Sequence, residues 1–241
     1  RKGNLMYLIF DIGTNEGEWT EKMMGRDPSI KFVCVEPQEQ LTNTLNFKFS
    51  TLVSLGKIKI YNKAVSNEEG MINLYPANHH SIATTSEDFR NNSCFAASEK
   101  MINGKMFKDH YSYSDPIQVE TITLDRLIEE NGVPDLLKLD VEGHEYEALL
   151  GLTQKVPLVT FEWHEPLRDK VLKAVEHLST LGFTEFSTEM WYTSAEYHDD
   201  EITEYKTSDE FVSWFNDYLD QEVPDINDRE WTQRSGMVWA R

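Results

Sequence analysis

Cysteine is scarce in this sequence: 241 residues contain only Cys34 and Cys94. Two thiols make no disulfide framework, and Cys34 falls inside an apolar stretch that reads as a buried strand. A reducing, cytoplasmic setting is therefore expected. No Cys and His spacing resembles a zinc site. Long apolar runs are absent too. A membrane-spanning helix needs about 20 consecutive apolar residues, none approaches that length, and no membrane insertion is expected. The apolar stretch 5–10 is too short for a signal-peptide core, and the missing initiator Met points to a sequence trimmed upstream. Basic residues are few, 23 Lys and Arg against 42 Asp and Glu, for a formal charge of -19. That deficit argues against nucleic acid as a main partner, since phosphate backbones are bound by neutralising them. No internal repeat or low-complexity tract occurs.

What is present suits a packed core: 39% hydrophobic and 12% aromatic residues. Apolar runs alternate with helical patterns, the signature of an open α/β sheet. Residues 6–10, 31–35, 58–62, 136–140 and 158–161 read as strands, and 182–187 and 236–240 as two more. Helices are predicted over 16–24 and 37–52, the second opened by Pro37 at its first turn. Segments 71–75 and 117–122 read as an extended pair. Between them lies a His-, Ser- and Asn-rich stretch that reads as a loop with room for one helix, of a length that is usually functional or mobile.

The string Asp11-Ile12-Gly13-Thr14-Asn15-Glu16-Gly17 follows the first strand and opens the first helix. Its glycines allow a tight turn and close approach of a ligand to the helix's positive end. Dinucleotide sites use Gly-x-Gly-x-x-Gly around a pyrophosphate. Here the spacing is Gly-x-x-x-Gly, and the Asp11 carboxylate would repel a pyrophosphate but suit the amino group of a methionine moiety. Glu36 ends the second strand, 19 residues after Gly17, where an acid accepts hydrogen bonds from ribose hydroxyls. Together these features point to S-adenosylmethionine.

A second string runs Asp140-Val141-Glu142-Gly143-His144-Glu145 at the carboxyl end of a buried strand, the edge where open α/β folds bind ligands. The bland reading makes these acids helix caps, and it is preferred for Glu145 and Glu147. Asp140 is assigned a functional role, near the methionine end or the acceptor. The next strand leads into Glu162-Trp163-His164. His144, Glu162 and His164 are thus the candidates for a general base. Carboxylates suit hard cations, so a metal on Asp140, Glu142, Glu162 and a histidine is conceivable, but the reading without a metal is preferred.

The tail differs in character. Residues 187–235 hold 14 acids against 3 bases, interleaved with aromatics. Disordered segments are poor in aromatics, so this stretch reads as a folded cap with an amphipathic helix over 209–219. Phe211, Trp214, Phe215 and Tyr218 fit the apolar face of that helix, which leaves Trp191, Tyr192 and Trp231 as expected acceptor contacts.

In order along residues 8–165, these strings resemble the FkbM family of methyltransferases: Phe10 to Thr20, Val35-Glu36-Pro37, Asn62 to Ser66, Thr123-Leu124-Asp125, and above all Lys138-Leu139-Asp140-Val141-Glu142-Gly143-His144-Glu145. The resemblance implies a class I methyltransferase fold, a Rossmann-like three-layer sandwich whose seven-stranded, mostly parallel sheet ends in an antiparallel strand. It also implies methyl transfer from S-adenosylmethionine to a hydroxyl of a sugar, glycan or other small hydroxylated metabolite. Carried onto this chain, the cofactor residues are Asp11, Gly13, Thr14, Asn15, Gly17, Glu36, Pro37, Ala64, Val65 and Asp140. The expected organisation is one domain over 1–241, with a middle insertion near 76–116 and the acidic aromatic insertion near 187–235. Two rivals stand beside it. An NAD-dependent sugar-modifying oxidoreductase lacks support from the glycine spacing and from any Tyr-x-x-x-Lys pair. A non-catalytic nucleoside-binding module is opposed by the intact motifs.

Overall fold

The computed structural model describes residues 7–191, 203–221 and 233–241. Seven strands make the main sheet: β1 (Leu8–Ile12), β2 (Lys31–Val35), β3 (Ile58–Tyr61), β4 (Leu136–Leu139), β5 (Val159–His164), β6 (Phe186–Trp191) and β7 (Ser235–Ala240). Their order is β3-β2-β1-β4-β5-β7-β6. β1 to β5 pair in parallel, and β7 runs antiparallel to both β5 and β6. This is the expected α/β sandwich with its antiparallel last strand.

Apart from the paired Asp11 and Lys138, and Lys31 at the start of β2, the strands β1, β2 and β4 are apolar because helices cover both faces. On one face Ile9, Phe32 and Cys34 pack with Leu45 and Phe49, flanked by Trp19 and Met23. Alternate residues Phe10, Ile12, Val33 and Val35 point the other way, into a larger core shared with Leu124, Leu127, Leu149 and Val175. The helices of these layers are α1 (Glu18–Arg26), α2 (Glu39–Lys48), α3 (Ser50–Ser54), then α6 (Leu124–Asn131), α7 (Glu145–Leu149), α8 (Arg168–Thr180) and α9 (Ser208–Asp220), with α4 (Glu87–Asn92) and α5 (Cys94–Ala97) in the middle segment. The single helix expected over 37–52 is two. The chain breaks helical geometry at Phe49, whose buried ring lies against Gly17.

Two further expectations are refined. β5 continues through Glu162 to His164 instead of ending at Phe161, so these two polar residues alternate onto one face of a strand. α9 starts at a capping box between Thr207 and Glu210. Its Phe211 and Phe215 are fully buried and meet Phe186 and Trp163, so the described part of the 187–235 segment enters the main core. Tyr192 and Trp231 lie outside the described residues, as does the side chain of Trp191.

The middle segment carries a core of its own. The pair expected at 71–75 and 117–122 forms as Met71–Leu74 against Ile117–Ile122, with Ala64–Val65 on the other edge. Beyond it, Ile82, Phe89, Cys94, Phe95 and Phe107 cluster on Leu167, just past the end of β5. Cys34 and Cys94 are both buried and free. Among the described residues no helix is long and apolar enough to cross a membrane.

Candidate active site

A cleft opens at the carboxyl ends of β1 and β4, where the strand order reverses and open α/β folds place ligands. It is open to solvent and, counting the space at its mouth, spans about 690 Å³. The loops after β1, β2 and β4 line it together with Ala64, Val65 and, from the middle segment, His80, Ser81, Ala83 and Thr85.

Three residues with positive φ, Gly13, Asn15 and Gly17, shape the β1 loop. At Gly13 (φ +77°) an added Cβ would lie 1.7 Å from the Asp140 carbonyl oxygen, so only glycine lets the β1 and β4 loops touch. Asn15 has φ 51°, and its backbone N–H donates to Glu36 Oε2 at 3.0 Å. The N–H of Gln38 donates to the other oxygen, Oε1, at 2.9 Å. Glu36 is only 3% exposed, yet it lines the cleft with both oxygens aimed by the backbone. Burial raises its pKa, opposed by those two hydrogen bonds.

Asp11 stands elsewhere than expected. Its carboxylate is fully buried under the turn, where it accepts from the Thr20 hydroxyl at 2.6 Å and the Lys138 ammonium at 3.1 Å. Thr14 is likewise inward: its hydroxyl donates to the Asp11 carbonyl at 2.6 Å and accepts from the Val35 N–H at 3.1 Å. At Gly17 the space that a Cβ would need is filled by Phe49 and Leu45. Of the expected cofactor residues, Gly13, Asn15, Glu36, Pro37, Ala64, Val65 and Asp140 line the cleft. Asp11, Thr14 and Gly17 brace the turn from behind.

The reason is Lys138, which the sequence reading left out. It sits opposite Asp11 in the β1–β4 register and reaches Asp140 Oδ2 at 3.2 Å as well. Burial works against its charge, but Asp11 and Asp140 outweigh that and hold its pKa above the ordinary lysine value. The signal in the sequence was a single cation in an otherwise apolar strand, Leu136-Leu137-Lys138-Leu139.

At the other end of the cleft, Glu142 occupies a left-handed conformation, φ 55°. Glu145 braces that loop, its Oε1 accepting from the N–H groups of Val141 at 2.9 Å and Gly143 at 3.2 Å. The Thr84 hydroxyl donates to the Glu142 carbonyl at 2.6 Å, tying the loop to the middle segment. Behind Glu142 lie the β5 residues. His164 Nε2 is 3.7 Å from Glu142 Oε2 and 3.1 Å from Glu162 Oε2, and the ring packs edge-on against Phe89. Burial raises the pKa of Glu142 well above its ordinary value, reinforced by Glu162 and Asp140. Burial pushes Glu162 up to about 7, against the pull of His164.

Glu142 and Asp140 line the cleft, whereas Glu162 and His164 do not. His144 is not brought to the cleft either. Its Nε2 lies 3.2 Å from the Ser66 hydroxyl oxygen, and burial holds its pKa down to about 4, so the ring is neutral.

With that geometry in hand, a family model described as the methyltransferase FkbM domain matches residues 11–205. Among solved structures, the fold resembles a methyltransferase FkbM from Methylobacillus flagellatus KT, with 13% identity and a TM-score of 0.52 over 100% of this chain and 46% of that one. The chain thus spans less than half of that relative. A precorrin-6y C5,15-methyltransferase from Geobacter metallireducens GS-15 aligns at 9% identity over 98% and 79% of the two chains, TM-score 0.46. A SAM-dependent O-methyltransferase from Thermotoga maritima aligns at 12% identity over 98% and 58%, TM-score 0.39. No curated protein matches the sequence.

Proposed function

The chain belongs to the FkbM methyltransferase family, and from that premise we propose that it uses S-adenosylmethionine to methylate a hydroxyl of a sugar, a glycan or another small hydroxylated metabolite. The observation that carries this reading is Glu36, a buried carboxylate in the cleft whose oxygens are both oriented by backbone donors. Its remaining lone pairs suit the two ribose hydroxyls. Pro37, Ala64 and Val65 offer apolar surface beside it for the adenine. The methionine end then lies toward Gly13 and Asp140.

The reaction is an in-line displacement. The acceptor oxygen forms a bond to the methyl carbon as the carbon–sulfur bond breaks, and S-adenosylhomocysteine leaves. The sulfonium is already a strong electrophile, so the protein's main task is alignment. The hydroxyl proton passes to a carboxylate at the cleft, where Asp140 and Glu142 stand. His80, Ser81 and Thr85 of the middle segment form the wall on which the acceptor rests.

Titration calorimetry with S-adenosylhomocysteine tests the assignment. Glu36→Ala should weaken binding at least tenfold, since hydrogen bonds to a charged group contribute about 1.5–3 kcal/mol. Undiminished affinity in that variant would overturn the ribose assignment. A panel of sugars and small alcohols with radiolabelled cofactor then identifies the acceptor class.

A further inference from the structure

We infer that Glu142, Glu162 and His164 form a binding site for one divalent transition-metal cation of the Mn²⁺ type. From the sequence no metal is expected here, because acids alone are a weak signal. The structure adds a specific convergence. Glu142 Oε2, Glu162 Oε2 and His164 Nε2 all lie within 4.8 Å of one another. Each of the three atoms is shielded from solvent and makes no hydrogen bond. His164 Nε2 and Glu162 Oε2 approach to 3.1 Å without the alignment of a donor and acceptor.

The spacing fits a shared ion. Donors about 2.1 Å from a metal sit about 3.0–3.4 Å apart in octahedral or tetrahedral geometry. The two separations from His164, 3.1 and 3.7 Å, need only a few tenths of an ångström of adjustment, and the two carboxylate oxygens, within 4.8 Å of each other, would be drawn together by the ion. The β-strand period puts Glu162 and His164 on one face, and the left-handed Glu142 reaches them from the β4 loop.

The charge balance favours a cation as well. Asp140, Glu142, Glu145 and Glu162 crowd this end. Lys138 is already engaged by Asp11 and Asp140. Buried carboxylates are ordinarily paired or bound to metal. One imidazole with two carboxylates selects a first-row cation such as Mn²⁺ over Mg²⁺ or Ca²⁺. Three protein ligands leave positions open, the arrangement of a catalytic site rather than a closed structural one. Glu142 borders the cleft, so an open position faces the acceptor. This part deepens the proposed function: a coordinated hydroxyl is more acidic, and Asp140 is the carboxylate left to receive its proton.

The test uses the full chain stripped with EDTA and titrated with Mn²⁺, reading the free ion by electron paramagnetic resonance. One Mn²⁺ per chain should bind saturably. Glu162→Gln and His164→Gln should each weaken it roughly tenfold or more, while Glu120→Gln, on the surface, leaves it unchanged. Thermal melts check that the variants fold, and Glu142→Gln replaces either that does not. No saturable binding, or equal binding in the folded ligand variants, overturns the site and leaves a plain histidine–glutamate pair. S-adenosylhomocysteine affinity measured in the same stripped protein keeps the two proposals separate. It should persist without metal, and its loss in the stripped protein would overturn the site's independence from the cofactor end.

Discussion

The two ends of the cleft are built by opposite means. At the Glu36 end, neighbouring loops supply backbone donors, and one carboxylate stands apart from its like. At the Glu142 end, side chains from β4, β5 and the middle segment converge, and carboxylates crowd together around one imidazole. The first arrangement orients one carboxylate rigidly, which suits the neutral ribose hydroxyls of the proposed cofactor. The second concentrates charge that is costly to bury, which proteins retain where chemistry uses it. One residue belongs to both ends. Lys138 reaches Asp11 under the first and Asp140 at the second.

Breaking that shared residue should have the largest effect. Lys138→Met leaves two carboxylates facing each other in the interior without their cation. Removing one partner of a buried pair costs about 3–5 kcal/mol. Urea denaturation should show a loss of that order, with both cofactor affinity and turnover falling. A loss of turnover alone would mean that the two ends are independent.

His144 supplies the next contrast. The sequence places it among the bases, but it turns from the cleft toward Ser66. His144→Ala should therefore cost about 1 kcal/mol of stability, the worth of one hydrogen bond, because the Ser66 hydroxyl keeps Asn67 as a partner, with kcat nearly unchanged. A large fall in kcat in a fully folded His144→Ala would return it to the acceptor end.

These two residues also mark what was legible. The strands β1, β2 and β4 are short apolar runs broken by turn residues, a local signal, and they were readable within about two residues. So was the Glu36 end, because its parts lie in two adjacent loops. The Glu142 end draws on residues from 84 to 164: the sequence offers Glu142, Glu162 and a histidine as a conceivable set, but no local pattern brings Thr84 and the middle segment to them. Asp11 is the instructive case. An acid after a strand looks like a ligand contact until the register puts Lys138 beside it. The middle segment was opaque for another reason. Its helices have four and six residues and its hairpin strands have two each, too short for any periodicity to emerge.

A pH titration sharpens the comparison at the Glu36 end. Burial lifts the Glu36 carboxyl above its ordinary 4.5 in the free protein, and ribose hydroxyls donating to it would favour the charged form. The complex then binds fewer protons than the free protein. S-adenosylhomocysteine affinity should hold at neutral pH and fall as pH drops through that raised pKa, by at most about tenfold per unit. Glu36→Gln should flatten the slope. A slope that survives would place the titrating group at the crowded end instead.

The smallest effect is expected at His80. It borders the cleft from the middle segment, is 43% exposed at its side chain and lies 3.4 Å from Glu16. An exposed pair of this kind contributes about 0–1 kcal/mol, so His80→Ala should melt close to the wild type. If the middle segment serves only the acceptor, KM for the acceptor rises a few-fold while affinity for S-adenosylhomocysteine stays the same. However, the Gln38 amide donates to the His80 carbonyl at 3.0 Å, and Gln38 also orients Glu36. That backbone link survives the substitution, so any loss of cofactor affinity in His80→Ala must come from the imidazole itself. Such a loss would show that the wall belongs to both ends and that Lys138 is not their only connection.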